Sequence, residues 1–230
     1  MSKIYNVNLI KDHIIINYNE QNLLLDTGSP ASFHSSGFIN LCGEDIAVNT
    51  SLTGVSSNYL SSKVGINIDG LLGMDIINRY PILIDIRCGL ILVDDDAVYL
   101  RKLKQFEMGS FGQGLIAIEM MVNNRNVRMI VDTGAPTSYI NESIVSGITS
   151  EGEVEDFHPF IGDFSTNTYR CDVNILPEIE THNQVFGVLP NLLGKALSML
   201  NVDGIIGIDL FKRFRIQIKN GTLFLPPQGI

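Results

Sequence analysis

Two stretches of this chain, about a hundred residues apart, follow the same plan. Ile14 to Tyr18 is largely apolar, Asn19 to Asn22 is polar, and Leu23-Leu24-Leu25 runs into Asp26-Thr27-Gly28-Ser29-Pro30-Ala31-Ser32-Phe33. Later, Leu115 to Val122 is apolar and Asn123 to Asn126 is polar. Val127 to Val131 then runs into Asp132-Thr133-Gly134-Ala135-Pro136-Thr137-Ser138-Tyr139. Both read as strand, turn, strand, with an aspartate at the end of the second strand. A second matched block follows in each half. Gly54 to Leu60 corresponds to Gly187 to Leu193, and each leads into a helix. Asp69-Gly70-Leu71-Leu72-Gly73-Met74-Asp75 then matches Asp203-Gly204-Ile205-Ile206-Gly207-Ile208-Asp209. Each copy closes with two short strands around a glycine, Gly89 or Gly221. A duplicated chain of this kind folds as two related units.

An Asp-Thr-Gly turn fed by apolar residues and followed by an apolar pair, Gly, an apolar residue and Asp resembles the retropepsin-like aspartic peptidases. Residues 71–79 and 205–213 are similar to the DNA-damage-inducible type of that group, with a short helix ending in Arg79 or Arg213. The resemblance implies a mainly β fold of two pseudo-symmetric barrel-like lobes with short helices and an active site between them. The expected division is a first lobe over 1–100, a connection over 101–114 and a second lobe over 115–230. The acidic Asp94-Asp95-Asp96 and the Gly-rich 109–114 read as connecting loop, since Gly109 to Gly114 lacks the GxGxxG spacing of a phosphate cradle.

Composition sets limits on partners. A formal net charge of −9 disfavours nucleic acid and anionic lipid. No run approaches the roughly 20 apolar residues of a membrane helix. Cys42, Cys88 and Cys171 are odd in number and widely spaced, which argues against a disulfide framework or zinc knuckle and for a reducing compartment. The expectation is a cytoplasmic protein. His13, His34, His158 and His182 show no metal-ligand spacing and read as surface or satisfied histidines, and nothing calls for a cofactor or metal.

The two aspartates carry the chemistry. Like charges about 3 Å apart cannot both ionise, so one carboxyl keeps a proton as acid while the other acts as base on water. Asp26 and Asp132 are the expected catalytic pair. Gly28 and Gly134 leave room for the turn and offer N–H groups to the carboxylates. The resemblance implies that Thr27 and Thr133 tie the halves together beneath the pair. Ser29 and Ala135 break the symmetry. A Ser29 hydroxyl on Asp26 would favour its charged form, making Asp26 the more ionised partner. Asp75 and Asp209 read as caps of the short helices that follow Gly73 and Gly207.

The halves differ in one place. The segment from Asp132 to Gly187 is roughly twice as long as that from Asp26 to Gly54, where the family places its flap. Phe157 to Ile175 reads as a hairpin of two β-rich runs around a polar segment, a single flap given by the second half. Phe160, Phe164 and Tyr169 are its candidate substrate contacts. The expected function is an endopeptidase acting on a peptide or protein with hydrophobic residues around the cleaved bond. It would act best at mildly acid pH and as a monomer. The rival is a catalytically silent peptide-binding or interaction module on the same fold.

Overall fold

The computed structural model describes residues 3–93, 101–102, 105–106, 114–158, 161–177 and 179–225. The acidic triplet 94–96, most of the Gly-rich connection and Phe160 lie outside the described residues.

Among the described residues strand accounts for 49% and helix for 15%, so the fold is mainly β. Two curled sheets form two barrel-like lobes. In each lobe, a hairpin with a two-residue turn delivers the aspartate. His13–Tyr18 pairs with Gln21–Leu25, and Ala117–Val122 pairs with Arg125–Val131. The turns are Asn19-Glu20 (φ 48° and 63°) and Asn123-Asn124 (φ 49° and 62°). Positive φ at both central residues gives the turn the hand that matches strand twist, and asparagine adopts it at little cost.

The second matched block supplies a parallel partner. Gly70–Leu72 runs parallel to Gln21–Leu25, and Gly204–Ile206 runs parallel to Arg125–Val131. The aspartate heading each block is tied back to the hairpin. Asp69 Oδ2 accepts from Asn22 N at 2.8 Å, and Asp203 Oδ2 accepts from Arg128 N at 2.9 Å. These inner strands have neighbours on both sides and are short, nearly continuous apolar runs, as a doubly covered strand requires. Helices Ser57–Val64 and Asn191–Met199 close small apolar clusters around Leu60 and Val64 in one lobe and Leu197 in the other.

Chain order breaks the duplication at its end. Ile216–Lys219 and Thr222–Leu225 form a hairpin around Gly221, and this hairpin reaches across to the other lobe. Ile216–Lys219 pairs with Ile82–Asp85, in the ten-stranded sheet of the first lobe. Buried Ile82 and Ile84 face buried Ile218 and Ile216 across this seam. Beside it, Arg215 Nε donates to Asp85 Oδ2 at 2.7 Å. The seam joins the lobes through backbone hydrogen bonds as well as a shared apolar core. None of the three cysteines forms a disulfide. Among the described residues no helix is long and apolar enough to cross a membrane.

Candidate active site

Asp26 and Asp132 each follow directly on the last residue of a buried strand, Leu25 and Val131. Asp26 N donates to Leu72 O and Asp132 N donates to Ile206 O, both at 3.0 Å. The parallel inner strands thus fix both aspartates at the same height. The turns that follow are crossed. Thr27 N donates to Thr133 Oγ1 at 3.0 Å, and Thr133 N donates to Thr27 Oγ1 at 2.9 Å. Each hydroxyl then donates to a carbonyl of the opposite lobe, Thr27 to Val131 O and Thr133 to Leu25 O, both at 2.8 Å. Both threonines are fully buried, so all four bonds form away from water.

The carboxyl groups come together above this network. They hydrogen-bond to one another, and each accepts from the glycine two residues on. Gly28 N lies 2.9 Å from Asp26 Oδ1, and Gly134 N lies 2.8 Å from Asp132 Oδ1. Glycine is required at both positions for a reason the sequence only half shows. A Cβ at Gly28 would sit 2.3 Å from Asp132 Cγ, and one at Gly134 would sit 2.7 Å from Asp26 Cγ. Each glycine therefore makes room for the other lobe's carboxylate as well as for its own turn.

Burial is the main reason that both groups hold protons above the usual carboxylate range, with the neighbouring charge of Asp132 raising Asp26 further. For Asp132, N–H donors from Gly134, Ala135 and Gly28 offset part of the burial. The pair titrates as one unit, and its retained proton belongs to the two carboxyl groups together. The Ser29 hydroxyl does not supply the bond to Asp26 that the sequence suggests. That hydroxyl donates to Ala31 O at 2.8 Å, and Ser29 reaches Asp26 through its backbone N–H, as Ala135 reaches Asp132.

Asp75 and Asp209 also differ from expectation. The short helices Met74–Ile77 and Ile208–Arg213 start at Gly73 and Gly207 without a side-chain cap. Asp75 Oδ1 instead accepts from Ser32 Oγ at 2.5 Å, and Ser32 Oγ in turn accepts from Gly73 N at 2.8 Å. Ser138 Oγ accepts from Gly207 N at 3.0 Å and lies 3.5 Å from Asp209 Oδ2. These serines, six residues after each aspartate, lock the turn onto the inner strand. Their place in the repeated octapeptide was the signal for them.

The carboxyl pair lines the floor of a cavity of about 410 Å³ between the lobes. Leu24, Val55, Leu60, Val64 and Leu71 wall it on the first-lobe side, and Tyr139, Leu189, Leu193 and Ile205 wall it on the other. Its cover is a hairpin of the second lobe, Gly152–His158 paired with Gly162–Asn174 in the register His158↔Gly162 to Gly152↔Thr168. Asp156, Phe157, His158 and Phe164 of this hairpin line the cavity. The first lobe's own hairpin, Phe38–Leu41 with Glu44–Ala47, sends Ile39, Leu41 and Ile46 into the core and does not line it.

The flap residues named from sequence separate accordingly. Phe164 faces the cavity and packs on Tyr139 with ring centroids 5.8 Å apart. Tyr169 packs against the core beyond the flap and is not among the cavity residues. The hairpin also starts earlier than expected, at Gly152, and its reversal lies between His158 and Gly162. The run Gly162 to Asn167, polar but for Phe164, is strand, with Asp163, Ser165 and Asn167 facing solvent. Alternation, not a loop, accounts for its polar residues.

Other cavity residues carried no sequence signal. His13 is buried, against the expectation of a surface or satisfied histidine, and its Nδ1 has no partner among the described residues. Burial lowers the pKa of both His13 and His158, which favours their neutral forms. Tyr139 hydroxyl donates to Asp156 Oδ2, tying the flap to its lobe. Tyr139 stands where the first copy has Phe33, and an added buried hydroxyl needs a partner, so this one could have been suspected.

No family model and no curated protein matches the chain by sequence. Among solved structures, a retropepsin-like aspartic protease from Rickettsia conorii aligns with 54% of this chain and 87% of its own at 18% identity, with a TM-score of 0.37. Basic 7S globulin from soybean aligns with 98% of this chain and 94% of its own at 8% identity, with a TM-score of 0.55. At that identity the likeness is one of fold, and it extends over both lobes of this chain.

Proposed function

We propose that this protein is an aspartic endopeptidase with Asp26 and Asp132 as its catalytic residues. The observation that carries the reading is the crossed pair of Asp-Thr-Gly turns, with their carboxyl groups hydrogen-bonded to each other on the floor of an apolar cleft. A peptide lying across the cleft places its scissile carbonyl over the pair. The ionised carboxylate takes a proton from water as the oxygen attacks the carbonyl carbon, and the protonated carboxyl gives its proton to the carbonyl oxygen. The tetrahedral intermediate collapses as the C–N bond breaks, with a proton passing to the leaving nitrogen. One proton must be retained on the pair, so activity is highest at mildly acid pH.

The leucine, valine and isoleucine walls on both sides favour hydrophobic residues flanking the cleaved bond. Thr27, Gly28, Ser29, Thr133, Gly134 and Ala135 hold the geometry, and Phe164 contacts substrate from the flap. Both halves of the site lie in one chain, so a monomer suffices and dilution leaves activity per molecule unchanged. The resemblance to the DNA-damage-inducible type rests on residues 71–79 and 205–213 alone.

A peptide library incubated with wild type, Asp26→Asn and Asp132→Asn at pH 3 to 7 tests the proposal. Each substitution is expected to reduce kcat/KM by about 10²–10⁴-fold or more, since either removes half of the acid–base pair. Absence of cleavage by wild type across that range would discard the peptidase in favour of a peptide-binding module.

A further inference from the structure

The flap hairpin belongs to the second lobe, yet its tip rests on the first. Lys63, in the last turn of helix Ser57–Val64, forms an ion pair with Asp163 of the hairpin. Its ammonium also lies 5.3 Å from the centroid of the Phe157 ring. Tyr59, one turn earlier on the same helix, meets Phe157 edge-on with centroids 6.1 Å apart, and the His13 ring lies 6.4 Å away. Phe157 is thus held between the helix and His13 while it lines the cavity. The contacts join two strands of one lobe to one helix of the other, so the cavity is roofed from side to side.

We propose that Lys63 is a positioning residue that latches the second lobe's hairpin shut on the first lobe, so that passage into the cleft requires this latch to release. The physical argument is one of size and place. The Asp163 side chain is 75% exposed and that of Lys63 26%, so the ion pair is screened by water and modest in strength. The cation over Phe157 adds a comparable increment. A latch of this strength biases closure without preventing opening. Helix Ser57–Val64 is itself fixed, with Ser56 as N-cap, Gly65 at φ 87° as C-cap, and Leu60 and Val64 buried, so the lysine has a rigid base. The peptidase reading enters only in the kinetic consequence, because the contact exists whatever the cleft binds.

Hydrogen exchange read on the amides of 152–158 and 162–168 tests the latch without reference to activity. Lys63→Met keeps the apolar stem and removes the charge, and Asp163→Asn removes the other half. Each is expected to speed exchange of these amides by about 3- to 10-fold while the core strands keep their protection. Raising salt should reproduce part of that change in wild type and none of it in the variants. Lys63→Arg should retain protection, and the swap Lys63→Asp with Asp163→Lys should restore the share due to the ion pair but not that of the cation over Phe157. Unchanged hairpin exchange in both single variants, or loss of protection of which the swap recovers no part, overturns the proposal. On a cleaved peptide, Lys63→Met should raise KM and leave kcat unchanged or higher, because both capture and release pass through the open hairpin. Altered exchange in a protein that cleaves nothing would keep the latch and remove the peptidase. Normal cleavage with unaltered exchange would do the reverse.

Discussion

Where the two lobes meet, they agree to within a tenth of an ångström. Thr27 and Thr133 each donate at 2.8 Å to the strand that feeds the opposite aspartate, and Asp26 N and Asp132 N each donate at 3.0 Å to an inner strand. Away from that contact, the lobes differ. The first uses its short hairpin, Phe38–Leu41 with Glu44–Ala47, to fill its core, whereas the second extends a longer one over the cleft. The difference follows from what each region must do. A shared carboxyl pair needs two equal halves, because a displacement of either turn separates the groups. The cover over the cleft carries no such demand for symmetry, and here one hairpin supplies it.

The largest effect is expected where chain order, not duplication, decides the structure. Asp85 is 2% exposed, and its hydrogen bond from Arg215 joins the end of the chain to the first sheet. Burial alone would raise Asp85, but the bonds from Arg215 and Cys88 outweigh it and hold the carboxyl below its usual range. Arg215→Leu leaves that carboxylate buried with weaker compensation and should cost about 3–4 kcal/mol of stability near neutral pH, measured by urea unfolding. The sign with pH follows from the direction of the shift. A depressed carboxyl contributes stability above its unfolded value and loses it as pH falls through the folded one. The gap between wild type and Arg215→Leu should therefore narrow on acidification. A gap that stays constant would mean that the strand pairing, and not the ion pair, holds the seam.

A smaller but more discriminating effect concerns the region where the lobes agree. Thr27→Val and Thr133→Val are close in volume to the native residue, and each leaves one buried N–H and one buried C=O of the opposite lobe unpaired. Each should cost about 2–3 kcal/mol, and the two costs should be equal within about half a kcal/mol. Serine at either position keeps the hydroxyl and should cost less. Markedly unequal valine costs would show that one lobe bears more of the contact than the geometry indicates.

The fold was legible in the sequence because the repeat is local: each Asp-Thr-Gly is preceded by its own strands and followed by its own Asp-Gly-apolar-apolar-Gly block. The same octapeptides contained Ser32 and Ser138, whose role becomes visible only when the inner strand is laid against the turn. What the sequence does not carry is pairing between distant elements. Nothing in Ile216 to Lys219 distinguishes a partner in its own lobe from one at Ile82–Asp85, since either offers alternating isoleucines. Phe157 and Asp163 are ordinary strand residues until the hairpin register and the helix opposite are fixed together. Tyr169 was placed on the flap because its strand is one continuous run, and only pairing shows that it has by then passed from the flap into the body of the lobe.

The smallest effect concerns the residue that directly follows each Asp-Thr-Gly. A serine follows Gly28 where an alanine follows Gly134, and from composition alone the hydroxyl belongs on Asp26, keeping it charged. If that were so, Ser29→Ala would move the acid limb of the pH–rate profile upward. The hydroxyl is instead committed to Ala31 O, and the contact from residue 29 to Asp26 is a backbone N–H that alanine would also supply. Burial and the facing carboxylate, which set the titration of the pair, are untouched by the change. Ser29→Ala is therefore expected to leave the acid limb of kcat/KM in place and to cost about 1 kcal/mol of stability for one lost hydrogen bond. A raised limb in that variant would mean that the serine turns toward Asp26 in solution, and that the two halves of the pair are not chemically equivalent.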